Sequence, residues 1–154
     1  MTKILHTADW QIGKPFLSIT DKPKRYRVQR ERLLVIDRIS KVAEQEKVDA
    51  VVIAGDLFDS AIVPAEVVME SFEGIGKMQR PVLVIPGNHD HGGEEGIWER
   101  VEVKEYIKKR APNMIFLNKK RPLLTSYGLF IPCPLLRRTE NEDPLEWINR
   151  IKFN

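Results

Sequence analysis

One stretch of this sequence leaves little freedom in how the chain can fold. Val51-Val52-Ile53-Ala54-Gly55 is an unbroken apolar run that ends at a glycine and gives way at once to Asp56, followed by Leu57-Phe58-Asp59. Such a run reads as a strand buried on both faces, with Asp56 just past its C-terminal end, the edge at which open α/β sheets bind ligands. The plan recurs twice. Lys3-Ile4-Leu5-His6-Thr7 leads to Asp9 and Gln11, and Pro81-Val82-Leu83-Val84-Ile85-Pro86 leads to Gly87-Asn88-His89-Asp90. If the three strands are neighbours in one sheet, Asp9, Gln11, Asp56, Asn88 and His89 converge on one edge.

Between the strands the apolar residues take a helical period. Residues 27–47 carry Val28, Val35, Ile39 and Val42 on one stripe and Arg30, Glu31, Arg38, Lys41 and Glu44 largely elsewhere, which predicts a crossover helix. Lys47-Val48-Asp49 closes the βαβ unit, and so short a connection favours a parallel, right-handed arrangement. Pro64 suits the first turn of a second helix carrying Val68, Phe72 and Ile75, whose end Gly74 and Gly76 weaken. A third helix is expected over residues 97–110, strands over 114–117 and 129–134, and a short amphipathic segment over 144–151. The expected class is α/β, a sheet layered with helices, because 154 residues suffice for one domain that buries roughly two-thirds of its unfolded surface.

Composition removes several other classes. At 42% hydrophobic and 31% charged residues, the chain resembles neither a disordered segment nor a membrane protein. No apolar run approaches the roughly 20 residues of a membrane span, and no signal-peptide pattern precedes the first strand, so a cytoplasmic protein with no membrane partner is expected. Cys133 is the single cysteine, which agrees with a reducing compartment. A net charge of +3 is too small to prove a polyanionic partner, and placement matters more than the sum. Lys14, Lys22, Lys24, Arg25 and Arg27 stand close together with Phe16 and Tyr26 among them, a mixture that suits a nucleic-acid backbone and equally a solvated loop. Lys108-Lys109-Arg110 is expected to complement a helix C-terminus, and His6 to be a hydrogen-bonded core histidine.

The residue types at the predicted edge suggest a site for two divalent cations, about 3.5–4 Å apart in such centres. Asp56 can offer one oxygen to each ion, Asp9 supplies charge to one, and Asn88 gives an amide oxygen to the other. Oxygen-rich ligation favours Mn²⁺ or Mg²⁺. His89, directly after a ligand, is placed to protonate a leaving group or steady charge on phosphorus, and Asp90 to orient its ring.

Asp9-Trp10-Gln11, Gly55-Asp56-Leu57-Phe58-Asp59 and Gly87-Asn88-His89-Asp90 resemble the first three motifs of the calcineurin-like metallophosphoesterases: D-x-H, G-D-x-x-D and G-N-H-D/E. The wording around Asp9, His6-Thr7-Ala8-Asp9-Trp10-Gln11-Ile12-Gly13-Lys14, is similar to that of DNA repair exonucleases of the SbcD type. The resemblance implies metal binding by Asp9, Asp56 and Asn88, catalysis by His89, and a preference for manganese. It also implies DNA as substrate, an ABC-type ATPase of the SbcC kind as partner, and a cytoplasmic, nucleoid-associated protein; a homodimer is compatible with it. Gln11 stands where the family has a metal-binding histidine, so it is either a weaker ligand or no ligand. The family's later histidines, including a G-H-x-H motif, have no counterpart, because no histidine follows His91. Residues 1–154 are therefore expected to be the N-terminal portion of a longer nuclease domain and to be inactive alone. Two alternatives stand beside this: a phosphoesterase acting on a nucleotide, phosphoprotein or small phosphodiester, and a non-catalytic module that binds DNA or an ATPase.

Overall fold

Four parallel strands form the sheet, in the order β1 (Ile4–Thr7), β2 (Ala50–Ala54), β3 (Val82–Ile85) and β4 (Met114–Phe116), in a computed structural model that describes residues 1–151. Register is continuous across it: Thr7 lies beside Ile53, Ile53 beside Val84, and Val84 beside Phe116. Parallel neighbours need crossovers, supplied here by α1 (Lys22–Gln45), α2 (Ala65–Gly76) and α3 (Val101–Arg110). The helices lie side by side, α1 on α2 and α2 on α3. Gly74 and Gly76, expected to weaken the end of α2, permit this packing. A Cβ on Gly74 would stand 2.8 Å from Ile36 Cγ2, and one on Gly76 would collide with the Arg110 carbonyl oxygen.

The core lies between these helices and one face of the sheet. Val51, Ile53, Val82 and Val84 meet Leu33, Ile36, Val68, Phe72, Ile75 and Val103 there, all buried. Aromatic rings continue the core beneath the strand ends. Phe58 packs edge-on to Phe72 at 5.8 Å and tilted to Trp98 at 5.5 Å, and Trp98 stacks on Phe116 at 4.3 Å. Each fully buried side chain of this size contributes about 1.5–3 kcal/mol relative to exposure.

Alternation along the strands sends His6, Val52, Leu83 and Ile115 to the opposite face. Leu83 is fully buried, Val52 and Ile115 are half-buried, and His6 is exposed. The expected core histidine thus stands on the face without helices, on an edge strand.

Several boundaries move for identifiable reasons. α1 begins at Lys22, not at residue 27, because Asp21 caps it: its carboxylate accepts the Lys24 amide at 2.7 Å, and Pro23 sits in the first turn. Its core-facing residues are Leu33, Ile36 and Ala43, with Ile39 packed against the core beside them; Val28 and Val35, with Ile39, line a cavity of about 370 Å³ beside Thr7 and Trp10, and Val42 is exposed. The segment over 97–110 breaks into a 3-10 turn, Ile97–Glu99, and α3, because Arg100 is extended and its guanidinium donates to the Val63 carbonyl. In place of a strand over 129–134 there is a hairpin of β5 (Leu123–Thr125) and β6 (Gly128–Phe130). Pro132 and Pro134 lack the amides that would extend it. The end segment forms a 3-10 turn, Glu146–Arg150, with no buried residue; Asn154 lies outside the described residues. Among the described residues no helix is long and apolar enough to cross a membrane.

Candidate metal centre

The loops leaving β1, β2 and β3 meet at one edge of the sheet, and backbone hydrogen bonds tie the first two together. Asp9 N–H donates to the Gly55 carbonyl at 3.1 Å, Gln11 N–H to the Asp56 carbonyl at 2.8 Å, and Ile12 N–H to the Leu57 carbonyl at 2.9 Å. Asp59 N–H returns a bond to the Ile12 carbonyl at 2.9 Å. Ile12, Leu57 and Phe58 are fully buried, so this zipper is nailed to the core. It holds three non-glycine residues in the left-handed region, Asp9 at φ 56°, Gln11 at φ 42° and Asp56 at φ 53°. Each such residue costs about 1–3 kcal/mol, a strain that tends to persist where it places functional side chains.

The third loop joins through Asp56. Its Oδ1 accepts the His89 amide at 3.0 Å, and Gly87 passes so close that a Cβ there would stand 2.6 Å from Asp56 N. Asp90 completes the tie from beneath. Its Oδ1 accepts the amides of Gly87 at 2.7 Å and Asp56 at 3.2 Å, its Oδ2 that of Phe58 at 3.2 Å, and its carbonyl the Trp98 indole N–H. Burial pushes the Asp90 carboxyl up to about 7, against the Gly87 and Phe58 amides that pull it down; the nearby Asp56 carboxylate adds to the rise. Asp90 therefore binds backbone and does not orient the His89 ring, as had been expected of it.

That task falls to Asp59, the last residue of the Gly55–Asp59 motif, whose main chain and not its carboxylate reaches the ring. The Asp59 carbonyl stands 2.9 Å from His89 Nδ1. A carbonyl only accepts, so Nδ1 carries a proton and Nε2 is left as the nitrogen that exchanges one. Gln11 Oε1 is engaged as well: the Lys14 ammonium donates to it at 2.8 Å and lies 3.6 Å from Asp59 Oδ1. Of the other basic candidates, Lys22, Lys24 and Arg25 are not in a loop but in the first turn of α1, with Lys22 and Lys24 exposed and Arg25 half-buried. None of the three forms an ion pair among the described residues.

Among the described residues no three His, Cys, Asp or Glu side chains form a metal cluster, so carboxylates and imidazoles alone do not complete a shell. What this edge presents is an oxygen set, Asp9, Asp56 and Asn88, with Asp56 Oδ1 held in place by a single amide and walled by a glycine. That set fits a hard divalent ion with coordination positions left for water or substrate. Such an ion polarises a phosphoryl oxygen and acidifies bound water.

The parallel sheet with polar loops at its strand ends is consistent with a metallophosphoesterase, and the chain matches the calcineurin-like phosphoesterase family over residues 2–153. It belongs to that family, whose members use divalent metals. Among individual proteins it is similar to the SbcD component of the nuclease SbcCD from Bacillus subtilis (strain 168), with 37% identity over 93 residues. The alignment takes in 58% of this chain and only 22% of that relative's length.

Proposed function

We propose that the chain is the metal-binding portion of a DNA phosphodiesterase that acts on DNA ends or hairpins, with Mn²⁺ as the working ion and Mg²⁺ as the alternative. The observation that supports this is the meeting of the loops after β1, β2 and β3, which carry Asp9, Asp56, Asn88 and His89, at one sheet edge, where the Asp9 amide bonds the Gly55 carbonyl and the His89 amide bonds Asp56 Oδ1. Asp9, Asp56 and Asn88 hold the ion, and His89, its Nδ1–H held by the Asp59 carbonyl, gives the leaving oxygen a proton from Nε2 when the ring is the imidazolium and returns to the neutral Nδ1–H form.

The first turn of α1 supports a polyanionic substrate. A helix N-terminus is already the positive end of its dipole, and adding cations there costs about 0.3–1 kcal/mol each. This turn holds no acidic residue and carries Lys22, Lys24 and Arg25, an arrangement poor for the helix and good for a phosphate backbone. The similarity to a nuclease component points the same way and suggests an SbcC-type ATPase as partner in the whole protein.

The test is Mn²⁺-dependent cleavage of nicked and hairpin DNA by the full-length protein and by residues 1–154, with Asp56→Ala as control. Cleavage by the full-length protein that Asp56→Ala abolishes is the expected result, with the 154-residue piece inactive. Strong Asp56-dependent cleavage by the piece overturns its being an incomplete site; no cleavage of DNA, with turnover of a nucleotide or phosphoprotein, moves the substrate to the other class.

A further inference from the structure

The Gln11 amide oxygen already has a cationic partner. Lys14 Nζ donates to it at 2.8 Å and stands 3.6 Å from Asp59 Oδ1, and the Asp59 carbonyl is the group that holds the His89 ring. Backbone geometry builds this seat. The Gln11 carbonyl accepts the Lys14 amide at 3.3 Å, closing a tight turn, and Gly13 within it has φ +88° with Val63 methyls 2.7 Å from where a Cβ would be. Lys14 is thereby pinned to the Gln11 side of the edge that bears Asp9 and Asp56. A divalent ion on Gln11 Oε1 would share that oxygen with a fixed positive charge, and the repulsion disfavours it.

We propose that Lys14 is a catalytic residue whose ammonium contacts a non-bridging phosphate oxygen of the substrate. It supplies on the Gln11 side the charge that a second metal would otherwise supply, so that the centre holds one divalent ion, on Asp9, Asp56 and Asn88. This rests on the phosphodiesterase function proposed above. An ammonium has three N–H donors, enough to bind Gln11, face Asp59 and offer one to a phosphate oxygen. Gln11 is then the residue that positions the ammonium and is not a ligand.

Mn²⁺ titration of the full-length protein, read by calorimetry and electron paramagnetic resonance, tests the stoichiometry, and turnover of bis(p-nitrophenyl) phosphate tests the role. Wild type is expected to take up one equivalent with the signal of an isolated ion, and the double variant Gln11→His/Lys14→Met two equivalents with an exchange-coupled signal. Lys14→Met alone is expected to lower kcat about 100-fold with Mn²⁺ affinity nearly unchanged, and Lys14→Arg to restore part of the rate. Two coupled ions in wild type, or an unchanged kcat in Lys14→Met, overturns the proposal and leaves the phosphodiesterase function standing. Absence of any Asp56-dependent uptake sinks both.

Discussion

Gly87→Ala is the sharpest small change that can be made to the centre. A Cβ at this position would lie 2.6 Å from Asp56 N and 2.8 Å from its Cγ, and nearer still to Oδ1, whereas real Cβ atoms essentially never come within 3.0 Å of a neighbour. Asp56 N must therefore retreat by at least 0.4 Å, and its carboxylate further. The retreat is resisted, because the Asp56 amide is held by Asp90, its carbonyl by Gln11, and its Oδ1 by the His89 amide. Overpacking against a backbone that cannot yield costs about 1–3 kcal/mol, seen as a lower denaturant midpoint. Misplacing a catalytic group by about 1 Å costs about 100-fold in rate, so a shift of this size should cost roughly 10- to 100-fold. Mn²⁺-dependent turnover of bis(p-nitrophenyl) phosphate by the full-length protein reads the rate, calorimetric Mn²⁺ titration reads the hold of Asp56 on the ion, and urea unfolding of the same sample separates both from stability. Gly55→Ala is the comparison: its Cβ would meet Gly87 at 3.2 Å from Cα and 3.5 Å from N, so its penalty comes mainly from φ +93° and is about 1–2 kcal/mol with milder loss of metal. Wild-type Mn²⁺ affinity in Gly87→Ala would refute the claim that this glycine fixes the Asp56 carboxylate.

Asp90 makes the metal-free protein sensitive to pH. Its carboxyl is raised from 3.8 to about 7 in the folded state, so the native state binds the proton more tightly; the stabilisation is fully present below about 3.8 and is lost as pH rises through about 7. Urea unfolding of metal-free protein at pH 5 and pH 8 should show wild type weaker at pH 8, with that difference reduced in Asp90→Asn; an equal difference in the two proteins contradicts the assignment. Lys22→Gln/Lys24→Gln should lower the slope of log affinity against log salt for duplex DNA by about 1.8, at roughly 0.9 per phosphate contact, and an unchanged slope removes the first turn of α1 from the DNA interface. Phe72→Ala, in a fully buried position against Phe58, should cost about 3–5 kcal/mol in denaturant unfolding, and a loss under 1 kcal/mol would mean that the aromatic cluster is not packed as described.

The parallel sheet was legible because β2 and β3 are continuous in apolar residues and each gives way at a glycine or proline to a loop with polar side chains, although on the face without helices Val52 is only half-buried and Ala54 is exposed. The meeting of the loops after β1, β2 and β3 at one edge followed from strand adjacency alone. What was not legible depended on which groups the folded loops and helices bring to each side chain. Asp90 looked like a partner for the adjacent imidazole, but three amides from two loops claim its carboxylate, and the ring turns to the Asp59 carbonyl, 30 residues away. Gln11 looked like a weakened ligand because periodicity says nothing of which cation an amide oxygen will meet; the turn through Gly13 decides that in favour of Lys14. His6 was misread because a strand's alternation gives two faces without saying which one the helices cover.

The strain at the edge and the depth of the core beneath it are two sides of one construction. Three left-handed residues at about 1–3 kcal/mol each would relax in a free loop. Here they cannot, because each sits beside a backbone bond of the zipper whose next residues, Ile12, Leu57 and Phe58, are fully buried. Phe58 in turn is wedged between Phe72 and Trp98, and the Trp98 indole holds the Asp90 carbonyl, so the rings under the site and the amides around Asp56 form one closed circuit. A side chain removed from that cluster should therefore be felt at Asp56 as well as in stability, which distinguishes a preorganised centre from a set of polar residues that merely share an edge.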